Sequence, residues 1–239
     1  MAVTFLQAAH ANADAVGAGS VTANFAANIT AGSAIAIFAF DYTGGYNTGM
    51  SVASTGETVV PVAGTELNDS GLATWKTYYI KNAAGGHTDV TLSFTSGTNF
   101  PRLFIVEVNG VDTVAPLSAN MLSAGDSAHF NNSGTTDGNT ASITPAHDGS
   151  IIIAAMFQGT DTTVPSVGTG WTNADSLSNG AGDATRVEYK VQTTAAQINA
   201  TWTYSGSATL AEFAALAFKP SGGAVATPNL FSVNSGMRW

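Results

Sequence analysis

The acidic side chains are the first candidates for chemistry in this sequence. A retaining glycosidase needs two carboxylates about 5 Å apart on one face of its site. Glu107 lies in the run Leu103–Val108, where the two-residue period of a strand puts it on the same face as Leu103 and Ile105. No other glutamate lies two or four residues away from it. The pattern therefore predicts that Glu107 is an edge or rim residue, and that the protein is not an enzyme.

Other catalytic arrangements find no support in the residue spacing. The four histidines, His10, His87, His129 and His147, are not grouped at the spacing of metal ligands. The chain has no Gly-x-Ser-x-Gly elbow and no phosphate-binding loop with its lysine. It also has no cysteine, which excludes thiol catalysis and zinc–thiolate sites. We expect no catalytic residue and no cofactor.

Calcium is the one metal for which the loops offer candidate ligands. Asp41, Asp137 and Asp161 stand in turn-like segments and offer the oxygen ligands that calcium prefers. Aspartates in such segments more commonly form Asx turns, and no EF-hand spacing is present. The sequence therefore predicts no metal site, with calcium as the alternative.

Aromatic side chains in loops could stack on sugar rings. Tyr42 and Tyr46 lie among glycines, and Trp171 follows Gly168-Thr169-Gly170, which favours exposure of its ring. Trp202, by contrast, alternates with apolar residues and is expected in the core. Trp171, Tyr42 and Tyr46 are the candidate sugar contacts.

Composition narrows the choice of partner. The 239 residues include 7 Lys and Arg against 16 Asp and Glu, for a net charge of −9 and a pI of about 4.5. A nucleic-acid binder needs basic surface, so we expect no such partner. The longest apolar runs fall far short of the roughly 20 residues of a membrane helix, so no membrane insertion is expected. The first basic residue is Lys76, which predicts no secretory signal.

The elements that must position these residues are strands. Short apolar or alternating runs are separated by Gly, Asn, Asp and Ser clusters throughout the chain. Gly32-Ser33 followed by AIAIFAF is repeated as Gly149-Ser150 followed by IIIAAMF. Farther on, Thr77–Lys81 aligns with Arg186–Lys190 at an offset of 109 residues. We predict an all-β, jelly-roll-type antiparallel β-sandwich built from two similar halves, with a short C-terminal tail.

The predicted sandwich spans residues 1–219, with half-repeats at about 20–115 and 140–219. Residues 220–239 form a Ser-Gly-Gly linker and an apolar tail, a candidate for docking on a sheet edge or groove. The assembly residues of this tail are predicted to be Phe231, Val233, Met237 and Trp239.

Two continuous apolar runs bear on self-association. A strand with one solvated face should alternate, but Ala34–Phe40 and Ile151–Phe157 do not. Both faces of each run must therefore be covered, either within the chain or by a neighbouring subunit. On this ground we expect an oligomer or a larger assembly.

The stretch Tyr78–Leu117, with YYIKN, RLFIVEVNGVD and a following Pro-Leu, resembles a domain of bacterial surface and phage proteins. Asn109 stands where that domain usually has serine or another small residue. The resemblance implies a concanavalin-like or jelly-roll sandwich over residues 1–219 and defines no catalytic residue. With the absent signal and the tail, it favours a phage virion protein, a capsid decoration or tail-associated component that binds itself and other virion proteins. The alternative is a carbohydrate-binding module for attachment to a host or surface.

Overall fold

The fold of the chain is all-β in the part that the computed structural model describes: residues 2–14, 18–41, 49–69, 73–98, 100–124, 137–139, 143–159, 162–179, 183–203 and 210–222. These ranges contain strands and turns but no helix. The strands are β1 (Thr4–Asn12), β2 (Ala18–Asn24), β3 (Ala34–Asp41), β4 (Ser51–Ala53), β5 (Val59–Pro61), β6 (Leu67–Asp69), β7 (Ala73–Ile80), β8 (Asp89–Thr98), β9 (Pro101–Asn109), β10 (Leu117–Ala124), β11 (Asp137–Asn139), β12 (Ser150–Gly159), β13 (Thr172–Asn179), β14 (Asp183–Gln192), β15 (Thr201–Thr203) and β16 (Leu210–Phe218). No helix in these ranges is long and apolar enough to cross a membrane.

The described strands form two large and two small antiparallel sheets. One large sheet has the order β1-β9-β3-β7-β5, with β6 also paired to β7, and the other has the order β10-β16-β12-β14-β13. The small sheets are β2-β8-β4 and β11-β15. Each half of the chain therefore contributes one large and one small sheet, in the same strand order. The predicted all-β antiparallel sandwich built from two similar halves is confirmed.

Local irregularities repeat along with the topology. β1 has a register shift between Phe5 and Gln7 where it pairs with β9, and β10 has one between Leu117 and Ala119 where it pairs with β16. Phe5 opposes Val108, and Leu117 opposes Phe218, so the two shifts occupy the same place in each half. Because β-bulges are specific features of a fold, this agreement supports the internal repeat independently of residue identity.

The register of the repeat differs from the sequence alignment by one residue. Ala34 pairs with Val108 and Ile151 with Phe218, which sets Val108 and Phe218 in equivalent positions at an offset of 110. The offset of 109 is therefore wrong for these strands. Because successive side chains point to opposite faces, the shift changes the partner of every residue. Lys76 matches Arg186, and Tyr78 matches Glu188.

Three buried clusters divide the molecule into four layers. The central cluster joins the two large sheets through side chains such as Phe38 of β3 and Ile153 of β12. A second cluster lies between the first large sheet and β2-β8-β4, and a third lies between the other large sheet and β11-β15. Each large sheet is thus covered on both faces, which explains its continuous apolar strands.

The two apolar runs are covered within one chain. Every residue of Ala34–Phe40 and Ile151–Phe157 is buried. Of the two kinds of cover considered, packing within the chain is the one observed, because the two large sheets and the two small ones supply it. These runs give no argument for an assembly.

The large sheets meet around an approximate two-fold relation. Phe40 and Phe157 are equivalent residues of the two halves, and their rings stack on each other with centroids 3.4 Å apart. At one side β1 contacts β13, and at the other β10 contacts β6. An isologous interface brings a residue on its axis against its own equivalent, as seen here. The two halves thus associate within the chain as a symmetric dimer would.

The halves begin earlier than the sequence indicated. β1 pairs with β9 of the first half, and β10 pairs with β16 of the second, although their residues lay outside the expected ranges of 20–115 and 140–219. Both strands carry polar residues in their sequences, such as Gln7 and Asn12 in β1 and Ser118 and Asn120 in β10, and therefore resemble connecting segments. The chain is described to Gly222, so the tail residues Phe231, Val233, Met237 and Trp239 lie outside the described residues.

The Phe40–Phe157 contact is expected to carry a large part of the association between the halves. Changing either residue to alanine should lower the free energy of unfolding by about 3–5 kcal/mol. The double variant should lose less than the sum of the two losses, because each single change already removes the shared contact. Urea denaturation measures the free energy of unfolding of all three variants. Val114→Ala is the control: this side chain is 77% exposed, so the change should alter the free energy of unfolding by no more than about 0.5 kcal/mol. Additive losses would contradict a direct contact.

Candidate functional site

A buried ion pair connects the two halves. Arg102 of β9 is fully buried, and its Nε and Nη2 donate to Oδ1 and Oδ2 of Asp183 on β14 at 3.0 and 2.6 Å. Its Nη1 also donates to the carbonyls of Ala13 and Pro101. Burial raises the pKa of Asp183, and the guanidinium opposes that shift. The geometry is bidentate and satisfied, which suits a structural role between the sheets.

A second polar contact and a ring stack lie along the same interface. His10 Nδ1 on β1 lies 2.9 Å from Asp175 Oδ2 on β13. The rings of Phe5 and Tyr189 stack at 4.5 Å between centroids. These groups join strands of different halves and are not directed at a common cavity.

Glu107 is buried in β9, so the prediction of an edge or rim residue is wrong. Its Oε1 accepts from the backbone N–H of Thr30 at 2.7 Å, and its Oε2 accepts from Gln7 Nε2 at 2.5 Å. β9 lies between β1 and β3, so the residue is central in its sheet. It shares a cluster face with Leu103 and Ile105, as the alternation predicted. The carboxylate attaches the turn before β3 to the sheet.

His87 lies between two carboxylates. Its Nε2 is 3.0 Å from Glu57 Oε1, and its Nδ1 is 3.3 Å from Asp89 Oδ1. Glu57 also accepts from the backbone N–H groups of Ala84 and Gly85. Burial alone would raise the pKa of Glu57, but these hydrogen bonds together hold it below its usual value. The cluster fixes two turns against each other.

Glu188 is a buried carboxyl with a strongly raised pKa. Its Oε2 accepts from the N–H of Gly168 at 2.9 Å, while its Oε1 is buried with no hydrogen-bond partner among the described residues. Burial raises the pKa of Glu188 to about 7, against the hydrogen bond from Gly168 and the nearby Arg186. The residue is therefore partly protonated near neutral pH.

An open groove lies at the edge of the first half, between β4, β5 and β7. It is a cavity of about 470 Å³, bordered by Met50–Val52, Val59, residues 61–66 and residues 76–78. At its border, Lys76 Nζ is 3.2 Å from Glu66 Oε1. The Tyr78 hydroxyl donates to the Met50 carbonyl at 3.3 Å, and burial, with the charge of Glu66, raises the pKa of Tyr78 to about 12. We call this cavity the Lys76 groove.

Sequence reasoning did not find the Lys76 groove. Lys76, Glu66 and Tyr78 belong to no known motif, and they come together only because β5 and β6 both pair with β7. The one local signal is the breaker Pro61 followed by Gly64, which adopts a positive φ of 74° in the turn.

Of the three predicted sugar contacts, the structure describes only Trp171. Trp171 is only 8% exposed and packs in the cluster between β12 and β15, so its expected exposure is wrong. The Gly168–Gly170 turn is closed by the Trp171 N–H, which donates to the Gly168 carbonyl at 3.0 Å. Tyr42 and Tyr46 lie outside the described residues.

Of the three calcium candidates, only Asp41 has a described side chain. Asp41 is buried at the end of β3, the side chain of Asp137 is not described, and Asp161 lies outside the described residues. Within the described ranges, no three His, Asp or Glu side chains are grouped to hold a metal ion.

Removing Arg102 should leave the buried carboxyl of Asp183 without its guanidinium partner. Arg102→Met is expected to lower the free energy of unfolding at pH 7 by about 3–5 kcal/mol, and the deficit should shrink as Asp183 becomes protonated at lower pH. Arg102→Met/Asp183→Leu should recover much of the loss, because no charge is then left buried. Urea denaturation of the three proteins measures both effects. Equal losses for the single and double variants would instead indicate that the packing of the arginine stem is what matters.

Glu188 should make stability depend on pH near neutrality. Its pKa is raised in the folded state, so its contribution is complete below about pH 4.5 and is lost as the pH rises through about 7. Glu188→Gln keeps an acceptor for Gly168 but cannot titrate. Between pH 5 and pH 8.5, the free energy of unfolding of the native protein should fall by about 2 kcal/mol relative to that of Glu188→Gln. Parallel stability curves from thermal and urea unfolding would contradict the shift.

The predicted resemblance to surface and phage domains rests on the residues of Tyr78–Leu117 alone. Compared with known proteins, the chain matches no family model, and no curated protein or solved structure matches it significantly.

Proposed function

We propose that this protein is a non-enzymatic structural component of a phage particle, a capsid decoration or tail-associated protein. The observation that carries the proposal is the use of its buried charged groups. Arg102 and Asp183 join the two halves, and Glu107 holds a turn against β9. In the part of the chain that the structure describes, these side chains are used for contacts inside a four-layer block.

The architecture supports this role because the two halves are held together as one unit. The two halves bury one another's apolar sheets, so they form one block rather than two domains joined by a hinge. A component of a particle must transmit load without opening, and a large apolar interface resists relative motion of the halves. The low content of charged residues, 10%, also limits long-range repulsion between neighbouring copies.

Contacts with copies of the protein and with other virion proteins are proposed to use the C-terminal tail. The described chain ends close to the block, where Pro220 forms a bridge with Val111 and the Ser221 N–H donates to the Gly110 carbonyl. The apolar residues Phe231, Val233, Met237 and Trp239 follow this anchor in sequence. A short apolar segment beyond a fixed anchor is suited to adding to a sheet edge or entering a groove of a neighbour.

The place of the protein in a particle can be tested directly. Purified virions of the phage that carries the gene should contain the protein in many copies, as measured by quantitative mass spectrometry after density-gradient purification. The gene should lie beside capsid, portal or tail genes. Absence from purified particles, or hydrolysis of a glycan by the purified protein, would overturn the proposal.

Removing residues 223–239 tests the tail. This deletion keeps Ser221 bonded to Gly110, so the melting temperature should stay within about 2 °C of that of the full chain. Binding to particles, or self-association measured by analytical ultracentrifugation, should be lost. Exchanging Phe231, Val233, Met237 and Trp239 for serine should have the same effect. The matched control exchanges Asn229, Ser232, Asn234 and Ser235 for alanine and should still associate. A strong fall in melting temperature with association retained would contradict the assignment.

A further inference from the structure

We propose that the Lys76 groove is a binding site for a neutral saccharide unit. This site is separate from the tail and goes beyond the structural role. It is not the aromatic platform suggested by Trp171, Tyr42 and Tyr46. The argument rests on how the groove is built, on how the matching place in the second half differs, and on the chemistry of its border.

Extra residues build the groove. Pro61 pairs with Tyr78, and Leu67 pairs with Trp75, so the five residues 62–66 stand opposite only Lys76 and Thr77. The segment must therefore arch away from β7. It is internally held, because the Thr65 hydroxyl donates to the Val62 carbonyl at 2.6 Å, and the Val62 N–H donates to the Thr77 carbonyl at 2.9 Å. Such irregularities in a strand are frequent beside binding sites.

The second half lacks this arch. There, Asn173 pairs with Glu188 and Asp175 with Val187, so a single extra residue, Ala174, interrupts an otherwise continuous β13. The fold is the same in both halves, and it forms without the longer insertion. The topology therefore does not require the arch, which distinguishes the first half from the second.

Side chains at the matching positions of the second half bond to different partners. Arg186, which matches Lys76, donates from Nε to the Pro165 carbonyl at 2.8 Å and from Nη1 to Asn173 Oδ1. Glu188, which matches Tyr78, accepts from the Gly168 N–H. In the first half the shorter lysine pairs instead with Glu66 on the arch, and the cavity remains.

The border of the groove presents a donor beside an acceptor. Lys76 Nζ and Glu66 Oε1 are 3.2 Å apart, which approximates the separation of hydroxyl groups on adjacent sugar carbons. Each hydroxyl can both donate and accept, so one can bond to the ammonium while its neighbour bonds to the carboxylate. The pair has no net charge, so it favours neither an anion nor a cation. A vicinal diol fits it better than a phosphate does.

The inner surface completes the fit to a sugar ring. Val52, Val59 and Pro61 border the cavity and can cover the C–H face of a pyranose. The hydroxyl groups of Thr65 and Tyr78 donate their hydrogens to carbonyls, so toward a ligand hydroxyl their oxygens can act only as acceptors. A volume of about 470 Å³ lies within the usual range of small-ligand pockets.

Saturation-transfer NMR on the full chain tests the site. The probes are the methyl glycosides of glucose, mannose, galactose and N-acetylglucosamine and their β-1,4-linked disaccharides. We expect at least one probe to bind with a dissociation constant of about 1 mM or tighter. Lys76→Met and Glu66→Gln should each weaken that binding at least about tenfold, and Tyr78→Phe by a smaller factor. Both border variants change partly exposed side chains, and their melting curves report whether they fold.

Two matched controls show whether binding depends on the Lys76 groove. Arg186→Met changes the equivalent position of the second half and should leave binding unchanged, as should deletion of residues 223–239. Failure of every probe to bind, or binding unaffected by both Lys76→Met and Glu66→Gln, would overturn the site. Preferential binding of inorganic phosphate or glucose 6-phosphate would overturn the neutral class of ligand. None of these outcomes bears on the presence of the protein in particles, so the two proposals fail separately.

Discussion

The mutual burial of two apolar sheet faces is the interaction on which the rest of this structure depends. Each large sheet has one face toward its own small sheet and the other toward its counterpart, so neither half can leave the other without exposing a full apolar layer to water. This constraint explains the unbroken apolar strands β3 and β12, and it explains why the equivalent residues Phe40 and Phe157 meet. An isolated half would resemble a protomer without its dimer partner.

Few charged residues are available, and several are buried. A carboxyl in the interior must be neutralised, paired or supplied with hydrogen bonds, and the structure shows these solutions side by side. Asp183 is paired with Arg102, Glu107 receives a backbone N–H and an amide, and Glu188 has its pKa raised toward neutrality. The first two tie separate segments together, whereas the third leaves one oxygen unsatisfied. The free-energy cost of burying Glu188 in this way is local, and it depends on pH because the carboxyl is protonated at low pH.

Periodicity and repetition predicted the fold class, because β3 and β12 are long, apolar and preceded by the same Gly-Ser turn. The register was missed by one residue because small apolar residues in β16 align almost equally well at either offset, and only the pairing with β12 distinguishes them. Burial of Trp171 and Glu107 was missed because each depends on a layer contributed by distant sequence. The Lys76 groove was missed for the same reason, since Glu66 and Lys76 meet only across the arch. Residues that act through tertiary placement alone leave no local pattern.

The two halves have the same fold but different sequences, which duplication followed by divergence explains. Two copies of one fold bury each other symmetrically, so substitutions at the shared interface are limited by packing in both halves at once. The two halves differ at the edge strands paired with β7 and β14, where the first half has residues 62–66 and the second has only residues 174–176. Val62, at one end of this arch, packs in the central cluster and is subject to the same limit. Lys76 and Glu66 are partly exposed, so a surface there can acquire a ligand without loss of the block that carries it.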